Sequence, residues 1–292
     1  MMVILGAVIV FVSVLGGFMA HNGNPMVLNQ PSEFVIIFGA AIGSLITSNS
    51  TAQLRHIMHM VLASLKQKPK AKDDYLELLM CLYELCKVVK TNPLSLEPHV
   101  EKPESSEIFK RYPGVLFNQH ALDFICDTLK VQISSPMSPY DLEDLMDKDM
   151  RAHNEEEAHV PHTVAKIGDA MPGLGIVAAV LGVVITMGAL AEGKDSIGHN
   201  VAAALIGTFI GILASYGFMQ PLASRIEGNI QDDSKYIDVI KSAILALSKE
   251  CAPKVCVEFA RRTVPPGARP TFDEVDRATS PGNLRAAQQQ AA

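Results

Sequence analysis

The side chain least explained by simple packing is Thr208, a hydroxyl in the uncharged run VAAALIGTFIGILASYGFMQPLA at 201–223. Beside it Ala203, Gly207, Gly211 and Ser215 recur every fourth residue, which puts four small side chains on one helical face. The preceding run, MPGLGIVAAVLGVVITMGALA at 171–191, makes a similar face from Gly175, Ala179, Gly182, Thr186 and Ala189. Small faces let membrane helices approach closely, because such helices associate by contact and not by a hydrophobic drive. Packing accounts for the small residues. It leaves Thr208 unexplained, and also a proline at each end: Pro172 opens the first helix and Pro221 closes the second. The chemistry open to such a segment is passage of an ion. Proton-moving proteins usually carry an acid inside the bilayer, and these apolar runs contain none. The acid, if there is one, is expected to come from another protein.

Other chemistries find no support. There is no phosphate loop, no GxSxG, no Rossmann fingerprint and no metal-ligand spacing. His56 and His59 are spaced like helix-face ligands, and His153, His159 and His162 flank an acidic run, but neither group has supporting cysteines or carboxylates. Cys81 and Cys86 sit among leucines 79, 82 and 85 and read as buried thiols. No enzyme activity, cofactor, metal or nucleic-acid partner is expected.

The elements that position Thr208 are membrane spans. At about 1.5 Å per residue, each apolar run is long enough for a hydrocarbon core of roughly 30 Å. The nine residues between the runs suffice only for a turn, so 171–223 is a transmembrane hairpin. Residues 2–20 form a third uncharged block, too long for a signal's apolar core and without a basic segment before it. Residues 34–48 form a fourth, with Gly39 and Gly43 at GxxxG spacing. The sequence therefore predicts an all-α membrane protein with four transmembrane helices and a helical cytoplasmic domain. Its divisions are 1–50 for helices 1 and 2, 51–170 cytoplasmic, 171–223 for helices 3 and 4, 224–264 a cytoplasmic extension, and 265–292 a disordered tail.

Charge orients the spans. Of 25 Lys and Arg, 14 fall in 52–170, 10 in 224–292, and one, Lys194, in the hairpin turn. By the positive-inside rule both termini and both large polar segments are cytoplasmic. Within them, residues 73–90 form an amphipathic helix stopped by Asn92-Pro93, and residues 119–133 a second. Ser138 and Pro139 start a third, which Pro161 is expected to end. The stretch LSLEPHVEKPESSEIF reads as an exposed loop carrying Glu97, Glu101, Lys102 and Glu104. A seam of Ile226, Ile230, Ile237, Ile240, Ile244 and Leu247 follows Pro221.

Several of these strings, in order along nearly the whole chain, resemble the MotA flagellar stator family: EFVIIFGAAIGS, SEIFKRYP, LEDLMD, MPGLGIVAAVLGVV and LIGTFIGILASYGF ending in QPLA. The resemblance implies a pentamer of this chain in the bacterial inner membrane around a dimer of MotB, each MotB giving one helix with the proton-carrying aspartate. Ion flow would turn the ring, and charges on it would drive the rotor protein FliG. Pro172 and Pro221 match the family's coupling prolines, and Thr208 a pore-facing threonine. Ala179 stands where sodium-driven relatives have threonine, which implies proton use. Glu97 matches a rotor-facing glutamate. Lys90 takes the place of a rotor-facing arginine, one residue closer to the glutamate than usual, and keeps the charge without the planar fork. An ExbB/TolQ-like energiser, with three membrane helices and without the LSLEPHVEKP-type loop, is the nearest alternative; a passive scaffold is the third.

The charge distribution predicts that cysteines introduced near positions 25 and 197 of a cysteine-free variant react with an impermeant thiol reagent from outside the cell, and that one at 150 stays protected. Labelling at 150 from outside reverses the orientation.

Overall fold

The computed structural model describes residues 2–66, 68–188 and 194–280, and every regular element among them is helical. In chain order these are α1 (Met2–Ala20), α2 (Pro31–Ser48), α3 (Thr51–Lys66), α4 (Lys72–Thr91), the short α5 (Glu97–Glu101), α6 (Glu107–Lys110) and α7 (Pro113–Leu116), then α8 (Gln119–Ser134), α9 (Pro139–Gly188), α10 (Lys194–Ala214), α11 (Gln220–Ser248), α12 (Pro253–Thr263) and α13 (Phe272–Ala278). A π-turn, Ser215–Met219, joins α10 to α11. Four helical stretches are long and apolar enough to cross a membrane: 2–20, 25–48, and parts of 139–188 and 201–248. The fold is thus the expected all-α membrane fold. The chain divides into two compact units, residues 1–67 with 156–229, and residues 68–155 with 230–292.

In the first unit α1 buries none of its residues, and Ile4, Leu5, Val8, Phe11 and Val12 stand bare. Such a helix is stable only where lipid or another chain covers it. α2 turns Glu33, Ile37 and Ala41 inward, one residue per turn. Ile37 packs with Ala178, Ile206 and Ile210 of the hairpin. The hairpin helices meet backbone to backbone. A Cβ on Gly175 would lie 2.8 Å from the Gly207 carbonyl oxygen, and one on Gly211 would lie 2.5 Å from that of Met171. Gly182 faces Ala204 one level away. Ala189, the last residue of the expected small face, lies outside the described residues.

The prolines behave differently from expectation. Pro161 and Pro172 both lie inside α9, so neither ends nor opens a helix. Each removes one ladder hydrogen bond, but the stripe Val160, Val164, Ile167 and Met171 is buried across both positions and holds the helix on course. Pro221 does not close its helix either. It is the second residue of α11, and the π-turn before it, in which the Gln220 N–H reaches the Ser215 carbonyl, widens the helix just upstream of the proline ring. α2 begins at Pro31, three residues before the expected span, and so takes in Glu33.

The second unit is built on a large core, with a smaller cluster of Cys86, Ala246 and Cys256 apart from it. Leu78, Leu79, Leu82 and Leu85 of α4, Ile125 and Leu129 of α8, Leu142 and Met146 of α9, and Tyr236, Ile240 and Ile244 of α11 are all buried in the large core. α9 starts as its sequence predicts, with the Ser138 hydroxyl accepting from the Asp141 N–H at 3.2 Å. The segment after Pro265 departs from the disordered tail. Thr271 and Glu274 form a capping box that starts α13, Val275 is buried in the core, and Lys72 and Lys254 pair with Glu274 and Asp276. Residues 281–292 lie outside the described part. The 94–109 stretch, expected as a loop, is a chain of short helical turns pinned by buried Leu96, Val100, Ile108 and Phe109.

These contacts predict a sharp contrast between glycines of one hairpin. Gly211→Ala pushes a methyl into the α9 backbone and is expected to destabilise the protein by about 1–3 kcal/mol, whereas Gly173→Ala, with nothing within 4 Å of the new methyl, is neutral. Thermal unfolding in detergent checks both.

Candidate functional site

Thr208 sits within the close crossing of the hairpin: its Cα is 3.2 Å from where a Cβ of Gly175 would be. The residue before it, Gly207, is buried against Ala178 and α2. Since successive helical residues are about 100° apart, Thr208 turns off that contact, and it is half-buried. Ala179 has the same relation to Ala178: the first is half-buried and the second is fully buried. The hairpin therefore leaves a hydroxyl and a methyl partly uncovered, one position on from a closed pair.

The two proline turns share a level. Gln220, immediately before Pro221, donates from Nε2 to Asp169 Oδ1 at 2.6 Å and to the Ala165 carbonyl at 3.3 Å. A Cβ on Gly168, the residue whose carbonyl lacks a partner N–H at Pro172, would lie 3.0 Å from Met219 Cβ of the π-turn. The weakened turn of one helix is thus packed on the widened turn of the other, with Pro172 half-buried and Pro221 exposed. Gln220, which no sequence pattern singles out, is the side chain that ties the turns together.

An acid does lie within the spans. Glu33 is 4% exposed and its Oε2 has no hydrogen-bond partner. The expectation of membrane helices free of ionisable groups is corrected accordingly. The span was drawn from hydropathy, which stops at a charged residue, whereas the helix starts at Pro31.

Lys90 and Glu97 both belong to the second unit and flank a capped turn in sequence. Asn92 Oδ1 accepts from the Leu94 N–H at 3.2 Å, and the Ser95 hydroxyl donates to the Asn92 carbonyl at 2.6 Å. Both charged residues are exposed. Lys90 Nζ donates to the Glu250 carbonyl at 2.8 Å, and Glu250 holds left-handed backbone at φ 60°. The same unit holds a buried ion pair the sequence did not reveal. Glu84, on the buried side of α4, accepts from Arg111 Nη1 and from the Tyr112 hydroxyl, both at 2.7 Å. Burial, then this hydrogen bond to the carboxylate, pushes the Tyr112 phenol well above its usual range. Glu77 Oε1 accepts from the Gly114 N–H at 2.7 Å. Together they fasten the segment that follows Glu97 onto α4. The only signal for this in the sequence was an acid interrupting an apolar stripe.

The motility protein A N-terminal family model matches residues 4–93, and the MotA/TolQ/ExbB proton channel family model matches residues 118–238. Motility protein A of Escherichia coli is 38% identical over 278 residues, 94% of each chain. The chain belongs to the motility protein A family. Chemotaxis protein LafT of Vibrio parahaemolyticus is 32% identical, covering 94% of this chain and 96% of its own. Among solved structures, C. jejuni MotAB matches with a TM-score of 0.76 at 18% identity, over 92% of this chain and 98% of the other. The flagellar MotAB stator complex of Bacillus subtilis matches at 0.71 and 20%, over 90% and 95%. At those identities the two structures establish the shared fold.

Arg111→Met leaves the Glu84 carboxylate buried without its cation. A loss of about 3–5 kcal/mol is expected, read by urea unfolding, and Glu84→Gln with Arg111→Met is expected to recover part of it.

Proposed function

We propose that this chain, a stator subunit of the flagellar motor, forms a proton channel with MotB and converts proton flow into torque on the rotor. The observation that carries the reading is the partly uncovered Thr208 hydroxyl beside the close glycine contacts of the hairpin. A hydroxyl there can hydrogen-bond a carboxyl that another helix brings, and MotB is the partner present in the solved complexes of this fold. In this reading five copies surround two MotB chains in the bacterial inner membrane, with both termini cytoplasmic. Its role is ion conduction and not catalysis. Ala179 supplies no oxygen beside Thr208, which favours protons over sodium, since a sodium site needs such ligands. Pro172 and Pro221, already the weak points of their backbone ladders, are where ion passage would bend the hairpin.

An ExbB/TolQ-like role is disfavoured by the match of residues 4–93 to the motility protein A N-terminal model, which covers the two helices and the α4 region that set this chain apart. The rotor contact is assigned to Lys90 and Glu97, through which the chain would engage FliG.

Two results test the reading. In cells lacking their own copy and expressing this chain with its MotB, Thr208→Val is expected to abolish or strongly reduce swimming while Thr208→Ser retains it; unchanged swimming in Thr208→Val removes Thr208 from the path. Exposed charges steer short-lived encounters and are individually worth about 0–1 kcal/mol. Neutralising Lys90 or Glu97 alone is therefore expected to slow swimming modestly. Lys90→Glu slows it more, because repulsion replaces attraction, and an exchanged charge on the rotor restores it. Normal swimming of Lys90→Glu moves the contact elsewhere.

A further inference from the structure

We propose that Glu33 is a proton-binding residue of this chain's own membrane unit, a carboxyl that takes up protons from the outer side before they reach the acid of the partner helix. The proposal rests on the proton-channel reading above. Glu33 lies on the inward stripe of α2, one turn before Ile37, and is 4% exposed. Its Oε2 has no hydrogen-bond partner. That oxygen lies 2.6 Å from the position a Cβ on Gly207 would take, so glycine is what leaves room for the carboxyl against α10. The burial is made by this chain alone.

A carboxylate placed among apolar side chains without hydrogen bonds is strongly disfavoured against the neutral acid. The first turn of a helix, where Glu33 sits, favours negative charge. The two influences oppose each other, which suits a group that must both accept and give up a proton. Acids inside membrane spans characteristically mark ion paths. Glu33 is the third residue of α2, only about 3 Å of helix rise from Pro31, and the exposed Asn24 and Asn29 precede it. Among the described residues of the packed spans, α1, the rest of α2 and the 171–188 part of α9 carry no charge. In α10 the charged positions are Lys194 and Asp195, in its first turn and more than three turns from Gly207. His21, after α1, is bonded to the Gly17 carbonyl.

The step is a simple proton transfer. A hydronium ion from the outer water gives its proton to Oε2, and the carboxylate becomes the neutral acid. On release the O–H bond breaks, the proton passes to water in the assembled path, and the carboxylate is restored. Gly207, which the carboxyl faces, is the residue before Thr208 in α10.

Glu33→Gln keeps the shape and removes the proton site; Glu33→Asp keeps the acid and shortens its reach. In liposomes holding the complex with MotB, proton flux under an imposed pH gradient is expected to fall at least tenfold in Glu33→Gln and to be intermediate in Glu33→Asp. Assembly and melting temperature are expected to stay as in the wild type. Separately, the chain alone in liposomes is treated with dicyclohexylcarbodiimide, which attacks neutral carboxyls in apolar surroundings; mass spectrometry is expected to find the adduct on Glu33. Wild-type flux with equal flux in Glu33→Gln, or an unlabelled Glu33, overturns the proposal. A wild-type complex that conducts nothing sinks the channel reading instead, and labelling then decides the proton site by itself.

Discussion

The contact of Gly175 with Gly207 and Gly211 is the constraint on which the membrane unit depends. At Gly175 and Gly211 a side chain would meet backbone atoms of the facing helix at 2.5–3.3 Å, and at Gly207 it would meet Glu33 Oε2 at 2.6 Å and Ala178 Cβ at 3.2 Å. In lipid, where apolar surface is not driven together, such contact is the main source of helix association. It also fixes geometry. With Gly207 pressed on α2 and Ala178, Thr208 has to face elsewhere, and the same closeness brings Gly168 onto the π-turn and lets Gln220 reach Asp169.

That arrangement combines a rigid crossing with two soft turns. One charge falling through 100 mV releases about 2.3 kcal/mol. This is comparable to the worth of a few hydrogen bonds and too small to separate the glycine contacts. It is enough to redistribute packing where ladder bonds are already missing, at Pro172 and at the π-turn before Pro221. A stator needs this division, since a hairpin soft throughout would dissipate the step and one rigid throughout would not respond. The presence of a carboxyl at Glu33 places a second charge-sensitive point on the same hairpin, on the side of α2.

Much of this was legible in the sequence, because the strongest signals are the ones physics enforces over many residues. Uncharged runs gave the spans, small residues at spacings of four gave the touching faces, and Ser138-Pro139 gave the start of α9. What was missed turned on single residues. Hydropathy ends a span at the first charge, so Glu33 was left outside α2 although the helix covers it. Pro161 reads as a stop in isolation, yet a buried stripe on both sides carries α9 through it. The Pro- and Arg-rich composition after Pro265 hid a helix held by one capping box and one buried valine. The Glu84–Arg111 pair joins residues 27 apart, a distance at which local pattern carries no information. Of the nine residues 192–200 expected to form only a turn, those from Lys194 on already belong to α10, and residues 189–193 lie outside the described part.

The central claim is that Thr208 faces the proton-carrying acid of the partner helix. The most direct measurement is oxidative crosslinking in membranes between Thr208→Cys in this chain and a cysteine replacing that acid in MotB, both in cysteine-free backgrounds. The account predicts a rapid crosslink from position 208 and none from Val180, which is 55% exposed but two residues, about 200° of helix turn, on from the closed-face Ala178. A crosslink from 180 and none from 208 contradicts it.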